Sequence, residues 1–308
     1  MRMSASIPRR PLGATGVDVS MVGLGGFHIG IPKDDSEATR IMHAAIDGGI
    51  TFFDNCWDYN EGKSEERMGR ALSDGKRQKV FLMTKLDGRN RKAAAEQLEQ
   101  SLRRLRTDVI DLVQIHEVIR EKDPAHCFAD DGCIHALEEA RTAGKIRFIG
   151  FTGHKDPEIH LSMLRTADAH GFRFDTVQMP LEPFDPHFKS FEKLVLPVLV
   201  EKRIGVLGMK PLGAGRLLET KCVSAFECLH YAMNLPTSVV ITGMQCMRDV
   251  NQAIAAALSF RPLTSEQVED ILARTKDAAR KGRYETYKTT KQHDGTTQSP
   301  KWLKRAEI

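Results

Sequence analysis

The chain has 308 residues, 41% of them hydrophobic, enough to bury a large core as either two domains or one α/β barrel. Its 45 Lys and Arg exceed 41 Asp and Glu by four, but the basic residues are scattered among acids on most predicted helices, which excludes a dedicated nucleic-acid surface. The six cysteines form no CxxC pair and read as reduced thiols of a cytoplasmic protein, while the N-terminus MRMSASIPRR lacks an apolar stretch and runs such as LVLPVLV are too short to span a membrane.

Residues 1–7 read as a flexible lead. RPLGATGVDVS then gives two short strands, with Gly13 and Gly16 permitting a hairpin that would plug the bottom of a barrel. MVGLGG is a strand, followed by the helix SEATRIMHAAIDGG with Ser36 as N-cap and Gly48 and Gly49 as stops. TFFDNC precedes SEERMGRALSDG, KVFLMTKL precedes AAAEQLEQSLRRL with Leu98, Leu102 and Leu105 on one face, and VIDLVQIH precedes CIHALEEARTAGK. IRFIGFTG leads to a helix capped by Asp156 with Pro157 at its first position, ending near Gly171. TVQMPL, IGVLGMKPLG and SVVITGM supply the last three strands, and SEQVEDILARTKDAARKG reads as an extra helix. Residues 284–308 are polar with isolated aromatics and predict an irregular strap over the barrel mouth. Alternating strands and helices without a low-complexity linker predict one α/β domain over 1–308, a (β/α)8 TIM barrel with an N-terminal β-hairpin and a C-terminal extra helix and tail. A doubly wound sheet is the alternative.

Three of these strands end in ionisable residues at equal intervals: Asp54, Lys85 and His116, each 31 residues from the next. One strand, one helix and two loops occupy about that length, so the three fall at the same end of neighbouring parallel strands, the end where barrels of this kind carry their active sites. Tyr59 lies in the loop above them. A carboxylate, an ammonium, an imidazole and a phenol at one place can polarise a carbonyl and move a proton to it. Taken singly, a strand-end Asp, Lys or His is more often a loop hydrogen-bonder. A lysine beside the tyrosine is expected to lower the phenol's pKa, and Asp54 to keep that lysine charged.

The motifs GLGG at 23–26, DNCWDY with Asp54 and Tyr59, MTK with Lys85, DLVQIH with His116, IGFTG at 149–153, VQMP with Gln178 and MKPLGAG at 209–215 stand in order along the chain. In these it resembles the aldo-keto reductase superfamily. The resemblance implies a nicotinamide dinucleotide held without a Rossmann motif, and no GxGxxG opens a helix here. It implies an NAD(P)H-dependent reductase of a small carbonyl substrate, with Tyr59 as general acid, Lys85 and Asp54 as its tuning pair and His116 as the donor that orients the substrate. Thr152 and Gln178 would bond the carboxamide. Thr152-Gly153 stands where the family usually has Ser-Asn, so one amide contact is lost. Met209 stands where many relatives stack an aromatic ring on the nicotinamide; an ordinary core methionine is the competing reading. Lys210, Pro211, Leu212, Gly213 and Gly215 would face the pyrophosphate, and Gly26, Phe27, Gly243, Met244 and Gln252 complete the implied cofactor set. Arg248 in a shifted loop would hold the 2′-phosphate of NADPH, whereas Asp249 in an unshifted one would favour NADH; family habit favours NADPH.

Cys56 lies between Asp54 and Tyr59 with no neighbouring base evident from the sequence, so it reads as no nucleophile. His126, Cys127, Cys133 and His135 lack the tight pairs of a zinc site, and no metal is expected. Phe27 and Trp57 are expected as substrate walls beside His116, with packing of Trp57 against the tail an equal alternative. Two other functions share this scaffold: a nicotinamide-sensing subunit without turnover, and a metal-dependent hydrolase, which would want an HxH near the first strand where only His28 is found.

Overall fold

A computed structural model describes residues 6–304. Eight parallel strands close into a barrel: β3 (Val22–Gly25), β4 (Phe52–Asp54), β5 (Phe81–Leu86), β6 (Ile110–Ile115), β7 (Ile146–Thr152), β8 (Thr176–Pro180), β9 (Gly205–Met209) and β10 (Val239–Gly243), with β10 pairing back onto β3. The doubly wound alternative is thereby ruled out. Before them β1 (Arg9–Pro11) and β2 (Asp18–Ser20) pair antiparallel, and the described residues contain no helix long and apolar enough to cross a membrane.

The hairpin closes the floor as expected. Leu12 and Val19 are fully buried and pack with Phe52, Phe81, Met83, Leu112, Leu207, Val239 and Ile241 inside the barrel. Each such burial contributes on the order of 1.5–3 kcal/mol. Gly13 has a φ of +56°, and a Cβ there would collide with the backbone nitrogen of Gly205 at the foot of β9. Both its conformation and its closeness to the barrel therefore demand glycine.

Two local expectations are corrected. The helix Asp35–Asp47 is capped by Asp34, whose carboxylate accepts from the Glu37 amide at 2.9 Å, while Ser36 donates its hydroxyl to the same carboxylate at 2.7 Å. A carboxylate at the N-terminus is favoured by the helix dipole, so Asp34 displaces the serine. Of the lead expected to be flexible, residues 1–5 lie outside the described residues, and Ile7 is buried in the main core. The Asp156 cap, with Pro157 at the first helical position, stands as read.

Parallel pairing is staggered. Phe52 pairs with Phe81, 29 residues on, and Lys85 pairs with Gln114, again 29 residues on. A period of 31 thus climbs two residues per strand. Two residues is one full side-chain alternation, so Asp54, Lys85 and His116 keep pointing to the same side while rising around the tilted barrel wall.

After the helix Ser265–Thr275 the chain runs back across the mouth in short turns. Glu117, next to His116, accepts from the Gly295 amide at 2.9 Å and from the Thr296 amide at 2.8 Å and hydroxyl at 2.5 Å. His154 and Lys155 grip Asp294 at 3.0 and 2.9 Å. Lys288 donates to Asp185 at 2.7 Å, and Trp302 meets Trp57 edge to face at 5.9 Å. Up to residue 304 these contacts hold the tail against the loops around the mouth.

Candidate active site

Two backbone bonds carry the β4 edge past its last strand residue: the Asn55 amide reaches Met83 O at 2.9 Å and the Trp57 amide reaches Lys85 O at 3.0 Å. They turn the loop over the end of β5. Left-handed Asn60 and Glu61, followed by Gly62 at φ +87°, then send the chain into the helix Lys63–Ala71. Tyr59 is left leaning inward above Lys85.

Lys85 is 1% exposed and its ammonium is held by the Asp54 carboxylate, by Asn55 O at 2.8 Å and by the Tyr59 hydroxyl at 3.2 Å. It also lies 4.7 Å from the centre of the Tyr59 ring. Gln178 donates to the other Asp54 oxygen at 3.3 Å. The four residues proposed for chemistry are therefore brought together, His116 and Tyr59 with ring centres 5.8 Å apart.

One expectation about them is overturned. Burial pushes the Tyr59 phenol well above its ordinary pKa, and the charges of Asp54, Cys56 and Asp58 add to the shift. The sequence reading weighed the lysine and not the burial of the phenol; desolvation is the larger effect, and the Asp54 charge pushes the same way. The phenol stays protonated throughout the neutral range.

His116 sits at the end of β6, its amide bonded to Leu86 O at 2.9 Å. Its Nδ1 faces Asp87 Oδ1 at 2.8 Å, Cys56 Sγ at 3.2 Å and Asp58 Oδ1 at 3.6 Å. This leaves Nε2 to a bound molecule. Burial opposes charge on this ring, but Asp58, Asp87 and Glu117 outweigh it and raise its pKa. Burial likewise pushes the Asp58 carboxyl up to about 7, with the charge of Asp87 adding to it and that of His116 opposing. Asp87 and Asp58 are functional neighbours that the sequence reading missed. Asp87 had a signal: it follows Lys85 by two residues and so points to the same side of β5. Cys56 does have a base beside it, contrary to expectation, yet burial raises its thiol pKa well above normal, so it remains an unreactive thiol.

Arg89, fully buried, ties these loops to one another. Its guanidinium bonds Asp123 at 2.9 Å, Asp87 O at 2.9 Å, His116 O at 2.6 Å and Glu117 O at 2.8 Å. No position in the sequence marked it, because its partners are carbonyls from separate loops.

On the opposite wall, Thr152 Oγ1 lies 3.9 Å from Met209 Sδ, and Met209 is half-buried at the top of β9. Gly153 has a structural reason: a Cβ there would collide with Val118 O and come within 2.8 Å of the His160 ring. Lys210 adopts φ +55° and sets its ammonium 5.7 Å from the Tyr287 ring centre; burial is the main cause that lowers its pKa. Gly213 and Gly215 both have positive φ, next to Pro211 and Leu212, of which Leu212 packs into the core. Gly26 is fixed by closeness to the Asp54 carbonyl, where a Cβ would collide. Met244 is fully buried in the main core, so its side chain is not open to a cofactor. Gly243 lies under the His28 ring, Gln252 is half-exposed, and Arg248 is 85% exposed, whereas the Asp249 carboxylate accepts from the Gln245 amide at 3.1 Å.

Phe27 is 48% exposed and meets the Tyr59 ring edge-on at 5.5 Å, as a pocket wall would. Trp57 instead donates its indole N–H to Gln100 at 2.8 Å and packs on Trp302, the alternative the sequence left open. Among the described residues Cys127 and Cys133 share a side-chain hydrogen bond, but no three of His126, Cys127, Cys133 and His135 gather within ligand reach.

A closed parallel barrel with an ionisable cluster at the C-terminal ends of its strands defines the class of molecule. Residues 21–227 match the family model described as the Aldo/keto reductase family, and the chain belongs to that family. It is 33% identical over 208 residues to the aldo-keto reductase YhdN of Bacillus subtilis, a match covering 63% of this chain and 58% of that protein. It is 33% identical over 229 residues to the uncharacterized oxidoreductase YrpG of the same organism, covering 67% of each. Among solved structures it resembles the holo form of aldo-keto reductase AKR11C1 from Bacillus halodurans, with TM-score 0.74 and 25% identity over 87% of this chain and 96% of that one.

Proposed function

We propose that the chain is an oxidoreductase that reduces an aldehyde or ketone to an alcohol using a nicotinamide dinucleotide, NADPH in preference to NADH. The observation that carries the reading is the Lys85 ammonium bonded to both the Asp54 carboxylate and the Tyr59 hydroxyl, with the phenol kept protonated.

The residues present fit the cofactor. Gln178 is anchored through its nitrogen to Asp54, while its Oε1 is buried without a hydrogen-bond partner among the described residues. An orphaned buried acceptor costs about 1–3 kcal/mol, and an amide N–H of a nicotinamide carboxamide would satisfy it. Thr152 stands next to Gln178 in the β7–β8 register and offers a hydroxyl to the same group. Met209 supplies a polarisable thioether at the ring face, and Lys210 with Gly213 and Gly215 offers charge and close backbone approach to a pyrophosphate. Asp249 accepts from the Gln245 amide and lies 3.7 Å from the Arg248 guanidinium, which at 85% exposure can turn from it to a 2′-phosphate.

When bound, such a cofactor supplies a hydride to the carbonyl carbon. The protein's part is the proton and the field. His116 Nε2 and the Tyr59 hydroxyl converge on one substrate oxygen and polarise the carbonyl. Tyr59 gives up its proton as charge develops on that oxygen, and Lys85, 3.2 Å away, stabilises the phenolate left behind. Asp54 and Asn55 O fix the lysine in place. A phenol with a high resting pKa makes the proton available only when that charge appears.

Fluorescence titration with NADPH and with NADH, followed by absorbance decay with 4-nitrobenzaldehyde, tests the reading. Tighter NADPH binding with decay is expected. Binding without decay would replace the reductase by a nicotinamide-sensing subunit, and no binding would remove the cofactor assignment.

A further inference from the structure

Away from the catalytic cluster, where the tail meets the loop after β8, four ionisable side chains are buried together: Glu182 and Asp185 from the loop, Glu285 and Lys288 from the tail. Three carboxyl groups share a single ammonium. Lys288 donates to Asp185 at 2.7 Å and to Phe188 O at 2.8 Å, and it meets Glu285 at 2.5 Å. Asp185 also accepts from the Ser190 hydroxyl at 2.9 Å and from the Phe191 and Glu192 amides at 3.1 and 2.9 Å, so it needs no proton of its own. Glu182 accepts from the Phe184 amide at 2.6 Å and from the Tyr287 hydroxyl at 3.1 Å.

Glu285 is the member left short. Apart from Lys288, no donor among the described residues serves its oxygens, and its carboxyl is in hydrogen-bond contact with that of Glu182. Two carboxylates offer each other only acceptors, so this contact requires a proton between them. Like charges sharing one buried site favour the same outcome, because together they hold one proton tightly. Burial acts in that direction on both groups.

The groups around the pair do not supply a second positive charge. Glu192 adds a further carboxyl, which accepts from the Tyr231 hydroxyl at 2.8 Å, and the nearby Cys228 thiol is kept neutral by burial. His187 turns to the Thr275 hydroxyl at 3.1 Å, and Lys193 to Pro186 O at 2.7 Å. Tyr287 touches Glu182 through its hydroxyl, while its ring centre lies 5.7 Å from the Lys210 ammonium and 6.4 Å from the His154 ring.

We infer that Glu182 and Glu285 share one proton and that this acid pair latches the tail onto the loop after β8, releasing it as pH rises. Loss of the proton to solvent leaves three buried carboxylates against one ammonium, and the segment around the short helix Thr286–Thr289 lifts to hydrate them. In the lifted tail both carboxyls stand in water with an ordinary pKa of about 4.3, so above that value the docked state holds one proton more than the lifted state. Docking is therefore strongest below about pH 4.3, and the equilibrium for lifting grows about tenfold per pH unit until the docked pair itself loses its proton. The latch is independent of the reductase reading. One consequence alone rests on that reading: Tyr287 leaves with the tail, so Lys210 opens to a dinucleotide pyrophosphate more often at higher pH.

The test is hydrogen–deuterium exchange of the full-length protein, read by mass spectrometry on the segment 284–290 from about pH 5.5 to about pH 8 and corrected for the intrinsic pH dependence of amide exchange. Protection of this segment should fall about tenfold per pH unit in the parent. Glu285→Gln replaces the shared proton by an amide N–H that does not titrate, so its protection should be independent of pH and exceed the parent's by about tenfold or more at the alkaline end. Glu182→Gln should flatten the profile in the same way. Glu192→Gln, which removes a neighbouring carboxyl bonded to Tyr231, should keep the parent slope. A flat profile in the parent overturns the latch without reference to any variant. So does a slope that survives in both Glu285→Gln and Glu182→Gln, or one that disappears in Glu192→Gln.

Discussion

The floor and the mouth of the barrel are built on the same strands, two residues apart, and could hardly differ more. Phe52, Met83 and Leu112 face a closed apolar layer with Leu12 and Val19 of the hairpin, whereas Asp54 and Lys85, one alternation higher on the first two of those strands, are a buried ion pair. The floor needs only shape and hydrophobicity, and each residue in it gains from burial. The mouth holds Asp54, Lys85, Asp58, Asp87, His116 and Glu117 with little exposure, an arrangement that desolvation penalises unless every charge meets a partner. Stability is concentrated at one end of the barrel and reactivity at the other, and the alternation of strand side chains is what allows them to be this close.

The sharpest break of that contrast is Lys85→Met, which makes the mouth resemble the floor at a single position. It leaves Asp54 buried with only Gln178 for a partner, so unfolding by urea should show a loss of about 3–5 kcal/mol, and carbonyl reduction should disappear with it. A variant of full stability would mean that the pair is worth no more than a hydrophobic contact. Tyr59→Phe should separate the two properties, lowering kcat by about 10²–10⁴ with little change in the urea midpoint or in cofactor affinity; full turnover would remove Tyr59 from the proton path. Leu112→Ala should do the reverse, costing about 2–5 kcal/mol of stability while kcat per folded molecule stays unchanged.

The smallest effect expected is that of pH. The raised pKa of His116 means that its contribution is fully present below its unfolded value of about 6.5 and lost as pH rises through the folded one. Asp58, raised to about 7, binds its proton more tightly in the folded chain, so stability falls as pH climbs from about 4 to about 7. These two signs agree, whereas His154, whose pKa burial lowers, acts in the opposite sense, so the effect is read from the Asp58 variant. Thermal melts should show Tm declining between pH 5 and pH 8 (about the span of the two titrations), and declining less in Asp58→Asn. An equal decline in that variant would place the titration elsewhere in the molecule.

Much of this was legible in the sequence because the repeat of strand, helix and loop has a fixed length. That period placed Asp54, Lys85 and His116 at one end of the barrel, and the glycines at 13 and 16 marked the hairpin that closes the other. The two-residue climb between strands was not legible, since a period alone says nothing of stagger. Contacts between distant loops were equally hidden: Glu117 holding Thr296 spans 179 residues, and no local pattern announces such a bond. The direction of the Tyr59 shift was misjudged for a related reason, because burial is a property of the whole assembly and was weighed only after the surrounding charges.

Arg89 carries a consequence for how the family member could change over generations. With its guanidinium clasping carbonyls of Asp87, His116 and Glu117 together with the Asp123 carboxylate, the loops after β5 and β6 share one keystone, and an insertion in either would dislodge the other. The tail that crosses the same opening is tied into that keystone as well, since the Arg89 amide donates to Leu303 O at 3.1 Å and Glu117 accepts from Thr296, so a change in the tail is felt in the loops beneath.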